Sequence, residues 1–98
     1  MIKVSKKTRE RKERRTDFYS IKFESYSQIP SCVAILQSEG GRTGEKIASK
    51  IIGRMRVDNH IVYDLTRAEA MFFGSLLTLQ GDKARQIYGL HILNHFKN

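Results

Sequence analysis

Lys3 to Arg15 reads KVSKKTRERKERR, and whether this stretch joins the folded body decides the architecture. It holds eight cations (Lys3, Lys6, Lys7, Arg9, Arg11, Lys12, Arg14, Arg15) against two acids, Glu10 and Glu13, and one apolar residue, Val4. Its net charge of +6 is most of the +8 carried by all 98 residues. A run with one apolar side chain buries too little to offset the entropy of ordering it. Composition therefore predicts a flexible, disordered basic N-terminal arm over 1–16. The remainder, 17–98, is read as a single globular domain, because a chain of this length supports one core.

Beyond the arm, Tyr19, Ile21 and Phe23 alternate with Ser20, Lys22 and Glu24, the period of a half-buried strand. A polar turn over 25–28 leads to Pro30, whose missing N–H is tolerated where a helix starts. Ile29, Cys32, Val33 and Leu36 then follow at helical spacing, and Gly40-Gly41 ends the segment. The apolar run over 30–39 is short enough to suit either a helix or a strand.

Thr43 to Arg56 has the clearest amphipathic pattern. At 100° per residue, Ile47, Ala48, Ile51, Ile52 and Met55 fall on one arc and Arg42, Lys46, Lys50, Arg54 and Arg56 on the other. His60 to Asp64 reads as a short strand that pairs with 18–24. Thr66 and Glu69 have capping-box spacing at the start of a helix reaching Gln80, and Gly81 stops it. Asp82 caps a last helix, 83–96, and the short turn makes the two an αα-hairpin. The fold class expected is α+β, mainly helical, with about four helices and a small two-stranded sheet.

The last two helices carry apolar residues nearly all round, including Met71, Phe72, Phe73, Leu76, Leu77, Ile87, Leu90 and Leu93. One small domain has too little material to cover every side, so a homodimer through these helices is expected. Ala70, Gly74 and Thr78 form a ridge of small residues suited to close helix approach.

Cysteine usage and hydropathy narrow the setting. A single cysteine, Cys32, excludes an internal disulfide framework, and its apolar neighbours predict a buried thiol in a cytoplasmic protein. The basic start runs into Thr16-Asp17 without the apolar stretch of a secretory signal. The longest apolar-rich run, Ala68 to Leu79, is about half the length of a bilayer span, so no membrane contact is expected.

Motifs that carry chemistry are weak. His91 and His95 have a one-face ligand spacing, but Ile92 stands where a zinc peptidase has glutamate, and no third ligand is evident. Gly40 to Lys46 (GGRTGEK) falls short of a phosphate loop because Glu45 separates the last glycine from the lysine. A helix-turn-helix with Lys83, Arg85 and Gln86 opening a recognition helix is opposed by Leu77, Gln80 and Asp82 in unsuitable positions. No cofactor, metal or catalytic residue is expected, and the protein is read as a non-enzyme.

What remains is charge. Clustered lysine and arginine suit phosphate oxygens, and their binding releases counterions. The chain is expected to be a nucleic-acid-binding accessory protein. Lys6, Lys7, Arg9, Arg11, Lys12, Arg14 and Arg15 of the arm and Arg42, Lys46, Lys50 and Arg54 of the basic helix face would contact the phosphates of RNA or DNA. The alternative is a small protein–protein modulator or inhibitor, of the kind phages and mobile elements carry, docking on an acidic surface of a larger complex.

Overall fold

In the computed structural model, which describes residues 2–12 and 14–97, Lys3–Arg11 form strand β1 and not a free arm. Met1, Glu13 and Asn98, and the side chain of Arg11, lie outside the described residues. β1 pairs antiparallel with β2, Arg14–Lys22, along its whole length, from Lys3 opposite Lys22 to Arg11 opposite Arg14. The expectation of disorder failed for a physical reason. Composition counts apolar residues in a run but ignores what a strand can pair with, and Ile2, just outside the charged run, anchors the start. Ile2 is 5% exposed, and half-buried Val4 lies opposite buried Ile21.

The remaining elements follow in the order α1 (Gln28–Glu39), α2 (Gly41–Arg54), β3 (Met55–Arg56), β4 (Ile61–Leu65), α3 (Arg67–Thr78) and α4 (Lys83–Asn94). The sheet has four strands in the order β1-β2-β4-β3, all neighbours antiparallel, where two strands were expected. The pairing of 18–24 with 60–64 holds, with Ile21 opposite Val62 and Tyr19 opposite Leu65. The ambiguous run over 30–39 is helix. The basic helix ends at Arg54, two residues before expected, and Met55–Arg56 turn into β3 against Val62 and Ile61.

Helices and sheet share one core. From the strands come Tyr19, Ile21, Val62 and Leu65, and Phe23 lies just past β2. Ile29, Cys32, Val33 and Leu36 of α1 join them with Ile47, Ala48 and Ile51 of α2, Phe73 and Leu77 of α3, and Ile92 of α4. Burying side chains of this size stabilises by roughly 1.5–3 kcal/mol each before entropy is subtracted.

The capping box at α3 is formed: the Thr66 hydroxyl accepts from the Glu69 N–H, and the Glu69 carboxylate accepts from the Thr66 N–H at 2.8 Å. Asp82 caps α4 by accepting from the Ala84 N–H. The ridge of Ala70, Gly74 and Thr78 serves the chain's own α4, not a partner helix. A Cβ on Gly89 would stand 2.5 Å from the Gly74 carbonyl oxygen and 2.7 Å from Thr78 Cγ2, so only glycine admits this approach.

β2 is bonded to β4 only from Tyr19 to Lys22, so the hairpin continues past the sheet as a two-stranded ribbon. Its five extra residues per strand, at 3.3 Å each, reach roughly 17 Å. The molecule measures 44 Å along its long axis and 27 Å along the other two. Thr8 Oγ1 donates across the ribbon to Asp17 at 2.7 Å, and Glu10 stands opposite Arg15. The turn is made at Lys12, with φ +57°.

Candidate nucleic-acid interface

Successive side chains of a strand point to opposite faces. The register of the hairpin therefore sorts its charges. Val4, Lys6, Thr8 and Glu10 share the helix-covered side with Arg15, Asp17, Tyr19 and Ile21. Lys3, Ser5, Lys7 and Arg9 share the open side with Arg14, Thr16, Phe18, Ser20 and Lys22. Burial agrees: Tyr19 and Ile21 are buried, whereas Phe18 and Ser20 are half-buried and the four cations Lys3, Lys7, Arg9 and Arg14 exposed. Both described acids of the hairpin, Glu10 and Asp17, go to the covered side.

A β-bulge completes the open face. The pairing of β2 with β4 shifts between Tyr19 and Ile21, so Tyr63 and Asp64 together oppose Ser20. Asp64 absorbs the extra residue at φ +60°, a conformation aspartate tolerates better than most side chains. Through this shift both Val62 and Leu65 reach the core, and both are fully buried. Tyr63 joins the open face beside Arg56, whose guanidinium carbon lies 5.3 Å from the ring centre. Arg9 lies over Phe18 at 5.0 Å in the same way and pairs with the Asp64 carboxylate at 3.1 Å.

The open face carries a hollow of about 420 Å³ lined by Lys7, Arg9, Ser20, Arg54, Arg56, Tyr63 and Asp64. Arg54 Nη1 donates to the Asp64 carbonyl at 3.2 Å, fixing the end of α2 to the bulge. Among the described strand residues, Asp64 is the one acid on this face, set against Lys3, Lys7, Arg9, Arg14, Lys22 and Arg56.

The residues expected to contact phosphate are thus divided. Lys7, Arg9 and Arg14 share the open face, and Arg54 borders it. Arg11 is opposite Arg14 in register. Lys12 and Arg15 line a small hollow with Glu10 and Arg14 at the hairpin tip. Lys6 is on the covered side, in a hollow with Tyr19, Arg67, His95 and Phe96.

The helix stripe is divided too. Arg42 and Lys46 are exposed beside Glu45 and Ser49. Lys50 is committed elsewhere, its Nζ donating to Glu69. Burial raises the Glu69 pKa, but the hydrogen bonds from Lys50 and the Thr66 backbone outweigh it and hold the carboxyl below its ordinary range. The Lys50 ammonium therefore secures α2 to the start of α3.

Lys3, Phe18, Lys22, Arg56 and Tyr63 were not among the expected contacts, and the one signal in the sequence, period two, concerned the cations of β1. Cations at 3, 7, 9 and 11 with Ser5 between them are odd-numbered positions of one strand.

Other candidate chemistry is occupied by structure. Gly40 alone is the corner between α1 and α2, and Gly41 to Lys46 are the first turns of α2, not a loop. Arg85 pairs with Asp82 at 2.8 Å and the Gln86 amide donates to the Gln80 carbonyl, so the start of α4 is tied to its own turn. Cys32 is buried, and burial pushes its thiol up to about 11. Among the described residues no group of three or more His, Cys, Asp or Glu could hold a metal ion, and no helix is long and apolar enough to cross a membrane. No protein-family model, curated protein or solved structure matches this chain.

Proposed function

We propose that this protein is a non-catalytic nucleic-acid-binding accessory protein that holds phosphates on its open sheet face and β-ribbon. The observation that carries the reading is the sorting of charge by strand register. Among the described strand residues six cations share one face with a single acid, and that acid is already paired with Arg9. An open sheet face needs only to be polar, and mixed signs would serve solubility equally well. One sign suits a polyanion. The ribbon extends the same row of cations, and a two-stranded ribbon is narrow enough to follow a phosphate backbone or enter a groove.

Salt dependence tests this. Six phosphate contacts give log K against log salt a slope of about −4 on a single strand and about −5 on a duplex. A flat slope, with capture of an acidic protein in place of nuclease-sensitive material, would replace this reading by the protein-modulator alternative.

A second copy of the chain is proposed as the partner of the α3–α4 hairpin. Met71, Leu79, Ile87 and Leu90 are exposed there. Exposed positions between Arg67 and Leu79 of α3, and between Lys83 and Lys97 of α4, carry no charge. Two copies can therefore meet on this strip without burying like charges, and the pairing would place two basic faces on one assembly.

A further inference from the structure

We infer that the open sheet face takes unpaired bases, stacking them on Phe18 and Tyr63, and that single-stranded nucleic acid is therefore its preferred ligand. The inference rests on the nucleic-acid reading and adds a class of substrate to it. Phosphate binding alone needs cations, and flat rings among them would be superfluous. Here Phe18 projects from β2 and Tyr63 from the neighbouring β4, with Ser20 opposite Tyr63 and two residues along the strand from Phe18. Ser20 and Tyr63 line the hollow with Arg9, the residue that lies over Phe18, and Phe18 and Tyr63 are both half-buried.

Each ring carries an arginine. Arg9 covers Phe18 and Arg56 covers Tyr63, at 5.0 and 5.3 Å from guanidinium carbon to ring centre. A planar guanidinium over a ring offers its own flat face to a base and keeps a phosphate-binding charge at its edge. Bases stack on such surfaces whatever their identity, because each has a π-face, while lysines nearby track the backbone. Lys7 stands opposite Phe18 on β1 for that role. A duplex keeps its base faces inside the stack, so it offers the rings no face to stack on. The hollow, about 420 Å³, falls in the range of roughly 300–1,000 Å³ that small organic groups fill.

The chain has no tryptophan, so Tyr63→Trp supplies a single indole reporter on the floor of the hollow. Fifteen-nucleotide oligo(dT), oligo(U), a duplex of the same length and heparin, a polyanion without bases, are titrated in turn. Quenching is expected with oligo(dT), oligo(U) or both, and little with heparin or duplex at saturation. The double variant Phe18→Leu/Tyr63→Leu, which keeps the apolar contacts beneath the rings, should lose single-strand affinity by roughly five- to 150-fold per ring. Its heparin affinity should stay unchanged, and circular dichroism checks its fold. Equal binding of single strand and duplex without quenching would overturn the inference and leave the phosphate-binding reading intact. Failure to bind any nucleic acid at low salt would overturn both.

Discussion

Replacing Lys7 and Arg14 with glutamine removes two cations from the open sheet face. Replacing Lys6 and Arg15 removes the same two residue types from the covered side. Both double variants carry +6 in place of +8. The four positions are close in sequence and belong to one hairpin, with Lys6 opposite Tyr19, Lys7 opposite Phe18 and Arg15 opposite Glu10. On a single strand each phosphate contact contributes about 0.7 to the salt slope, so six contacts lose about 300-fold in affinity between 50 and 200 mM salt. With Lys7 and Arg14 gone, four contacts remain and the loss over the same range falls to about 50-fold. The Lys6/Arg15 variant should keep a slope close to that of the parent, since its cations face away from the interface. Fluorescence anisotropy of a labelled oligonucleotide at four or five salt concentrations reads both slopes. If the two variants flatten the slope equally, charge acts without regard to face and the sorting by register is irrelevant to binding.

Three further outcomes are expected. Glu69→Gln weakens the ion pair with Lys50 and the capping box at α3, costing about 1–2 kcal/mol near neutral pH. The folded carboxyl lies below its ordinary value of 4.5, so its stabilisation is present above that value and fades as the pH falls through the folded one. Denaturant melts of parent and variant should accordingly converge in acid. Gly89→Ala drives a methyl against the Gly74 carbonyl and Thr78, separating α3 from α4; despite alanine's better helix propensity it should cost about 1–3 kcal/mol, seen as a lower Tm. Light scattering at micromolar concentration should give about twice 11.3 kDa, and Leu90→Glu, at a position 51% exposed, should halve it without unfolding; a parent mass near 11.3 kDa would refute the dimer.

Elements with local signals were legible in the sequence. Thr66 and Glu69 marked the start of α3, Asp82 that of α4, and the alternation of Tyr19, Ile21 and Phe23 gave the core strand with the correct face inward. The N-terminal strand was not, because its signals were masked by charge. A strand whose open side is lysine and arginine reads as a charge run, and Ile2 and Val4 are too few for a hydrophobic pattern. Its turn, at Lys12, lacks the Asn-Gly or Asp-Gly chemistry that usually announces a two-residue hairpin. Met55 continues the helical period of α2, so the change to β3 is set by pairing with Val62 and not by local preference. Of the open-face cations, composition singled out Lys7, Arg9 and Arg14 but not Lys3, Lys22 or Arg56. The division of charge between two faces required register, and Tyr63 required the bulge at Asp64, a tertiary feature without a local signature.

One face of the sheet is proposed to receive nucleic acid. Titrating isotopically labelled protein with a single-stranded oligonucleotide, and following backbone and side-chain resonances, tests it most directly. The largest shifts should map to Lys7, Arg9, Phe18, Ser20, Arg56 and Tyr63, while Lys6, Arg42 and Lys46 move little. Shifts centred on α2 or on the covered side around Lys6, with the open face silent, would contradict it.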